Sequence, residues 1–222
     1  MSKSFFSGIS LFALLLVLFI LPAFSFAATV PSSSSGLVGL WHFDSLTNGT
    51  TPDATGNGND GVVNGVPFDS VGGKYGGAFV FDGTNNPIVM KRTNTALDLT
   101  GHFTISAWVY LTGDSKLGSI ITKGCNVNFL ACSPHGVFDW EFNFNTYNLR
   151  DIFFGVSNIT AETATNTVVL QKNQWYNIVG VLDGSSVRLY VNVALAQSAP
   201  FTGTPASHTV PVFAGVDYYT GN

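Results

Sequence analysis

The sequence predicts an all-β protein built from two packed antiparallel sheets, on three observations. Apolar and polar residues alternate with period two in segment after segment. Tight-turn residues separate those segments, and no stretch after the leader shows a helical period. Composition agrees: charged residues make up 10% of the chain, against about 25% in an average soluble protein. The 19 Phe and 24 Gly supply strand formers and turns rather than solvated helices.

The first element is a leader, residues 1–27. Lys3 provides a positive start, Ile9 to Leu21 is an apolar core, and Pro22 follows. Ser25-Phe26-Ala27 then sets small residues where a signal peptidase needs them, predicting cleavage before Ala28. The alternative, an uncleaved anchor, needs about 20 apolar residues, and this core is shorter, with Gly8, Ser10 and Pro22 at its edges. No Cys follows the core, so a lipid anchor is not indicated. Residues 28–35 read as a Pro/Ser linker and 36–222 as a single domain. The expected location is secreted or cell surface, with membrane contact only through the leader or a missing downstream segment.

Within the domain, Leu37 to Phe43 reads as a strand with Leu37, Trp41 and Phe43 on one face. In Phe103 to Leu111, Phe103, Ile105, Ala107, Val109 and Leu111 face one way, while Thr104, Ser106, Trp108 and Tyr110 face the other. Trp140, Phe142 and Phe144 point together, opposite Glu141 and Asn143. Further strands are expected at Ala78–Phe81, Ile88–Lys91, Ser119–Thr122, Ile152–Val156, Thr167–Gln171, Trp175–Leu182 and Val187–Val191. Asp183-Gly184-Ser185-Ser186 joins the last two as a hairpin signal.

Charge excludes one class of partner. Without Lys3, 8 basic residues stand against 13 acidic ones, a net charge of −5. No basic run exceeds Lys91-Arg92, so nucleic acid is not an expected partner. No dinucleotide fingerprint, P-loop or G-x-S-x-G elbow is present, which excludes nucleotide and serine-nucleophile chemistry. His42, His102, His135 and His208 are scattered, without metalloprotease spacing. Export permits a disulfide between Cys125 and Cys132, the only two cysteines. Two thiolates fall short of a four-ligand structural zinc site. Asn48-Gly-Thr50 and Asn158-Ile-Thr160 are glycosylation sequons, used only in a host that glycosylates exported proteins.

Five ordered segments carry a family resemblance: Gly39 to Asp44, Asp53-Ala-Thr-Gly-Asn-Gly-Asn-Asp-Gly61, Gly77 to Gly83, Phe103-Thr-Ile-Ser-Ala-Trp-Val109, and Trp175 to Val179 running on to Arg188 to Asn192. Together they resemble the laminin G-like jelly rolls of the concanavalin A-like lectin and glucanase superfamily. The resemblance implies a two-sheet jelly-roll sandwich and a role in recognising carbohydrate or extracellular protein. Two departures stand out. Where the family has Asn-Gly after its central hairpin, this chain has Asn192-Val193; Val resists positive φ, so a differently built turn is expected. The family's closing acidic strand, G-x-I-D-E-V-R-I-Y, has no counterpart before Asn222, so the expectation is a jelly roll lacking that C-terminal strand, from a longer surface protein.

Asp53, Asn57, Asn59 and Asp60 offer oxygens of the kind calcium takes, with Gly56, Gly58 and Gly61 letting the backbone curl and Asp82 a further candidate ligand. The metal-free alternative is a loop held by Asx hydrogen bonds. Asp139 and Glu141, alternate residues of one strand, meet the spacing of a retaining glycosidase pair. However, the superfamily's glucanases carry three acids on one strand, and this chain has only Glu141 and Glu162 as glutamates. A polar outer face is the expectation, and no enzyme is predicted. Tyr147, Tyr218 and Tyr219 are candidates for stacking on sugar rings, whereas Trp140, Trp41, Trp108 and Trp175 read as packing.

Overall fold

The computed structural model describes residues 36–82, 87–113, 118–124, 138–144, 150–158 and 162–216. These residues form strands and turns and no helix. In chain order the strands are β1 (Thr50–Thr51), β2 (Gly61–Val63), β3 (Phe68–Asp69), β4 (Ala78–Phe79), β5 (Ile88–Met90), β6 (Phe103–Tyr110), β7 (Ser119–Gly124) and β8 (Phe138–Phe144). They continue as β9 (Asp151–Ser157), β10 (Glu162–Ala164), β11 (Val168–Val169), β12 (Trp175–Leu182), β13 (Ser186–Val191), β14 (Ala194–Pro200) and β15 (Val212–Val216).

The smaller sheet runs β14-β13-β12-β6. Strict alternation sets it: β12 repeats half-buried and buried positions throughout, and β6 turns Phe103, Ile105, Ala107 and Val109 inward. The larger sheet runs β1-β2-β5-β15-β7-β8-β9-β10, with β11 also on β9. Every pairing between strands is antiparallel. β3 and β4 form a separate short ribbon.

The core lies between the sheets. Ile88, Met90, Phe142, Ile152, Phe154 and Val156 meet Phe103, Tyr176, Ile178, Leu182, Val187 and Leu189. Phe154 is its hinge, edge-on to Phe103 at 6.5 Å between ring centroids and tilted on Phe142 at 5.0 Å. Gly180 of β12 lies under that ring: a Cβ there would meet Phe154 carbons at 2.6 Å. Glycine is required at this point because the Phe154 ring lies directly against the backbone, leaving no room for a side chain.

Several expected strands differ. Leu37–Phe43 is not a strand, for Phe43 takes φ 57° and the segment bonds to the loop that follows. Trp41 and Phe43 still turn toward the core, whereas Leu37 is exposed. The alternation there reports burial without sheet pairing. Thr167–Gln171 shrinks to β11, and Ala78–Phe81 to β4. Two long strands lacked a sequence signal. β15 is buried at Val212, Phe213 and Ala214 in succession, so it carries no alternation. β14 is a partly exposed edge strand rich in Ala, with Leu195 turned to solvent.

The turn at Asn192-Val193 also corrects expectation. Asn192 has φ 48° and Val193 φ 67°, the two positive values of a type I′ turn. A β-branched residue holds the position because the hairpin imposes it. The Asn192 N–H donates to the Asn177 carbonyl at 2.8 Å, and Asn192 Oδ1 accepts the Asn177 N–H at 3.0 Å. Val193 itself is 91% exposed, so its side chain meets no packing conflict.

Candidate functional site

The Asp53–Gly61 loop folds around one carboxylate. Asp53 Oδ1 accepts the N–H groups of Leu40 and Thr55 and the Thr55 hydroxyl, at 3.1, 3.0 and 2.6 Å; Oδ2 accepts the Asn59 N–H at 3.2 Å. Asp60 Oδ1 accepts the Asp53 N–H at 3.0 Å. Asn57 donates its amide to the Val38 carbonyl, and its own carbonyl accepts Thr93 Oγ1 and Asn94 Nδ2. The Trp41 indole donates to the Asn59 carbonyl at 2.8 Å, which fixes the opening segment over this loop.

At the candidate calcium loop, both Asp53 carboxylate oxygens and Asp60 Oδ1 already accept hydrogen bonds from the chain. The buried Asn59 amide turns its oxygen toward Thr93 Oγ1 at 3.4 Å, and its Nδ2, a donor that cannot ligate a cation, has no partner. Asp82 lies beyond β4 and is exposed. Among the described residues no group of three His, Cys, Asp or Glu side chains is placed to hold a metal ion.

Asp139 and Glu141 of β8 are not a solvated face. They are 1% and 2% exposed, which corrects the expectation of a polar outer surface. Asp139 Oδ2 pairs with Lys123 Nζ at 3.0 Å, and its oxygens accept the His208 N–H and meet His208 Nδ1 at 2.6 Å. Lys123 is fully buried and reaches Asp98 at 3.1 Å, the Val210 carbonyl at 3.2 Å and the His208 carbonyl. Asp98 in turn holds Arg92 at 2.5 Å. A chain of charges, Arg92–Asp98–Lys123–Asp139, therefore runs from surface to interior. Burial pushes the Asp98 carboxyl up, but hydrogen bonds from Arg92 and Lys123 and their charges outweigh it and hold it below the usual carboxylate range. Glu141 accepts Ser119 Oγ at 3.5 Å and Asn143 Nδ2 at 3.3 Å.

The tryptophans divide. Trp140 is buried at 3%, as its alternation with Phe142 predicts. Trp108, expected to pack, is 42% exposed and Tyr110 beside it 41% exposed, both on the outer face of the smaller sheet. Tyr75 stands edge-on to Trp108 at 6.0 Å, and Trp175 tilts against Tyr110 at 5.4 Å. The signal for this row was present in the alternation, which groups Trp108 and Tyr110 with Thr104 and Ser106.

Tyr147, Tyr218, Tyr219, Cys125 and Cys132 lie outside the described residues, as does the leader. Asn48 is exposed in a tight turn with φ 51°, and Asn158 follows β9 in an isolated bridge to Pro205, with its Nδ2 donating to the Thr202 carbonyl at 3.1 Å.

Two packed antiparallel sheets with this strand order define a jelly-roll sandwich. The sequence model of the concanavalin A-like lectin/glucanases superfamily, in its laminin G form, matches residues 82–222. The chain belongs to that superfamily. Among solved structures it is similar to domain 4 of an extracellular GH43 arabinanase from Geobacillus stearothermophilus in complex with arabinotriose: TM-score 0.53, 16% identity, covering 75% of this chain and 78% of that one. It is similar also to the receptor-binding domain of botulinum neurotoxin D, with TM-score 0.55 and 14% identity over 79% of this chain and 44% of that one. A third is Trypanosoma rangeli sialidase, with TM-score 0.57 and 15% identity over 86% of this chain but 28% of the sialidase. This chain thus spans under half of the neurotoxin domain and of the sialidase. No curated protein matches the sequence. Among the described residues no helix is long and apolar enough to cross a membrane.

Proposed function

We propose that the chain is an exported, non-catalytic recognition module that binds carbohydrate or an extracellular protein. The observation that carries it is the state of Asp139. The acid that would complete a glycosidase pair with Glu141 is committed to Lys123 and His208 and is closed to solvent. A general acid or nucleophile must meet its substrate within hydrogen-bonding reach. Neighbours of the same fold support the binding role: one was solved with arabinotriose, and another is a receptor-binding domain.

A glycan array with the purified domain, with and without calcium, tests the reading. Retention of a glycan class supports it, and a featureless array together with no extracellular protein partner overturns it. The enzyme alternative is tested on β-glucans: release of reducing sugar by the wild type and its loss in Glu141→Gln would overturn the non-catalytic assignment.

Because hydrogen bonds already engage Asp53, Asn57 and Asp60, the reading includes an Asp53–Gly61 loop that folds without a metal. A calcium titration that raises the melting midpoint would overturn this part. Export follows from Lys3 to Ala27, and N-terminal sequencing of secreted protein should find Ala28 first.

A further inference from the structure

The outer face of the smaller sheet carries an aromatic row that its packing does not explain. Trp108 and Tyr110 are alternate residues of β6 and stand on one side about 6.6–7 Å apart along the strand. Tyr75 extends the row at one end and Trp175 at the other. Tyr75 is 71% exposed. The same face holds hydrogen-bonding groups between the rings. Asn177 lies opposite Trp108 in the β12–β6 register, and its Nδ2 donates to Ser106 Oγ at 3.2 Å. Rings interleaved with amide and hydroxyl groups suit a ligand that is itself amphipathic, with C–H faces to stack and hydroxyls to bond. A purely apolar partner would take Asn177 and Ser106 out of water with only their mutual hydrogen bond to satisfy them.

The charge at the row decides further. Lys74 sets its Nζ 5.2 Å from the Trp108 ring centroid and 6.0 Å from that of Tyr75. No carboxylate among the described residues pairs with it. Arg188, on the same sheet, is by contrast neutralised by Asp183 at 2.5 Å. In a chain of net charge −4, a cation lying on exposed aromatic rings with no carboxylate partner among the described residues is complementary to an anionic group on the ligand.

Resting on the recognition reading above, we propose that Tyr75, Trp108, Tyr110 and Trp175 form a stacking platform for an acidic polysaccharide. Pyranose faces lie on the rings, and Lys74, on its flexible stem, swings from Trp108 to a uronate carboxylate.

Affinity gel electrophoresis tests this with polygalacturonate, alginate and hyaluronan as acidic probes and xylan and amylose as neutral ones. The wild type should be retarded by at least one acidic probe, less so as salt rises. Trp108→Ala and Tyr110→Ala should each weaken retention roughly two- to tenfold. Lys74→Gln should weaken it roughly two- to fivefold and flatten the salt dependence. Unchanged melting midpoints establish that the variants fold. Glycan binding on the array that survives Trp108→Ala/Tyr110→Ala undiminished overturns the platform while leaving the recognition reading intact. Retention by neutral probes alone, indifferent to Lys74→Gln, overturns the acidic ligand. Absence of any glycan or protein partner overturns the recognition reading itself.

Discussion

β6 and β8 obey the same rule and end in opposite environments. Each alternates an apolar, core-facing set with a second set on the other side. On β6 that second set, Thr104, Ser106, Trp108 and Tyr110, meets solvent. On β8 it contains Asp139 and Glu141, and both are buried. Alternation assigns sides of a sheet; what lies over each side is decided elsewhere in the chain. The Asp139 carboxylate can occupy the covered side because Lys123 and His208 converge on it, with Asp98 bracing Lys123 from its other side. An indole can occupy the open side because there it keeps 42% of its surface in solvent, with only Tyr75 and Lys74 of the described residues resting on its ring.

Substitutions can break that contrast. Lys123→Ala strands Asp139 in the interior and should cost about 3–5 kcal/mol, read as a lowered urea midpoint. If the cost is under 1 kcal/mol, the charge chain does not hold β7 to β8. Gly180→Ala, forcing a methyl into the Phe154 ring between the sheets, should cost about 1–3 kcal/mol by thermal unfolding. Val193→Gly relieves a β-branched residue at φ 67° and should stabilise by about 1 kcal/mol. A loss of stability instead would mean that the turn is not type I′. Trp108→Ala, on the open side, should change stability by no more than about 0.5 kcal/mol.

Acid sharpens the comparison further. The Asp98 carboxyl is held below its usual range by Arg92 and Lys123 despite burial, and Asp183 by the N–H groups of Ser185 and Ser186. A depressed folded-state pKa contributes stability above the ordinary carboxylate pKa of about 3.9, and that contribution is lost as pH falls through the folded value. The unfolding midpoint should therefore drop below about pH 4, and Asp98→Asn should flatten that acid limb. An acid limb identical in the variant would remove Asp98 from the account.

Much of the smaller sheet was legible. Trp175–Leu182 matches β12 end for end, and Asp183-Gly184-Ser185-Ser186 closes the hairpin by hydrogen bonds to Asp183 Oδ1. Both are local: alternation and turn chemistry act over a few residues. The Asp53 loop was legible as an Asx-rich curl, with its bonds to Leu40 and Trp41 added by the fold. β15 was not legible, because burial on both faces erases period two. The exposure of Trp108 was half legible: its side was evident, its freedom from cover was not.

The sequence by itself determined an all-β chain, the superfamily, and which residues of β6, β8 and β12 share a face, since these follow from local periodicity and ordered motifs. Only the tertiary structure decided that β15 enters the sheet between β5 and β7, that Asp139 is neutralised by Lys123, and that Trp108 is left open beside Lys74. Each of these depends on segments far apart in the chain meeting in space, and no pattern along a strand records which segment will cover it.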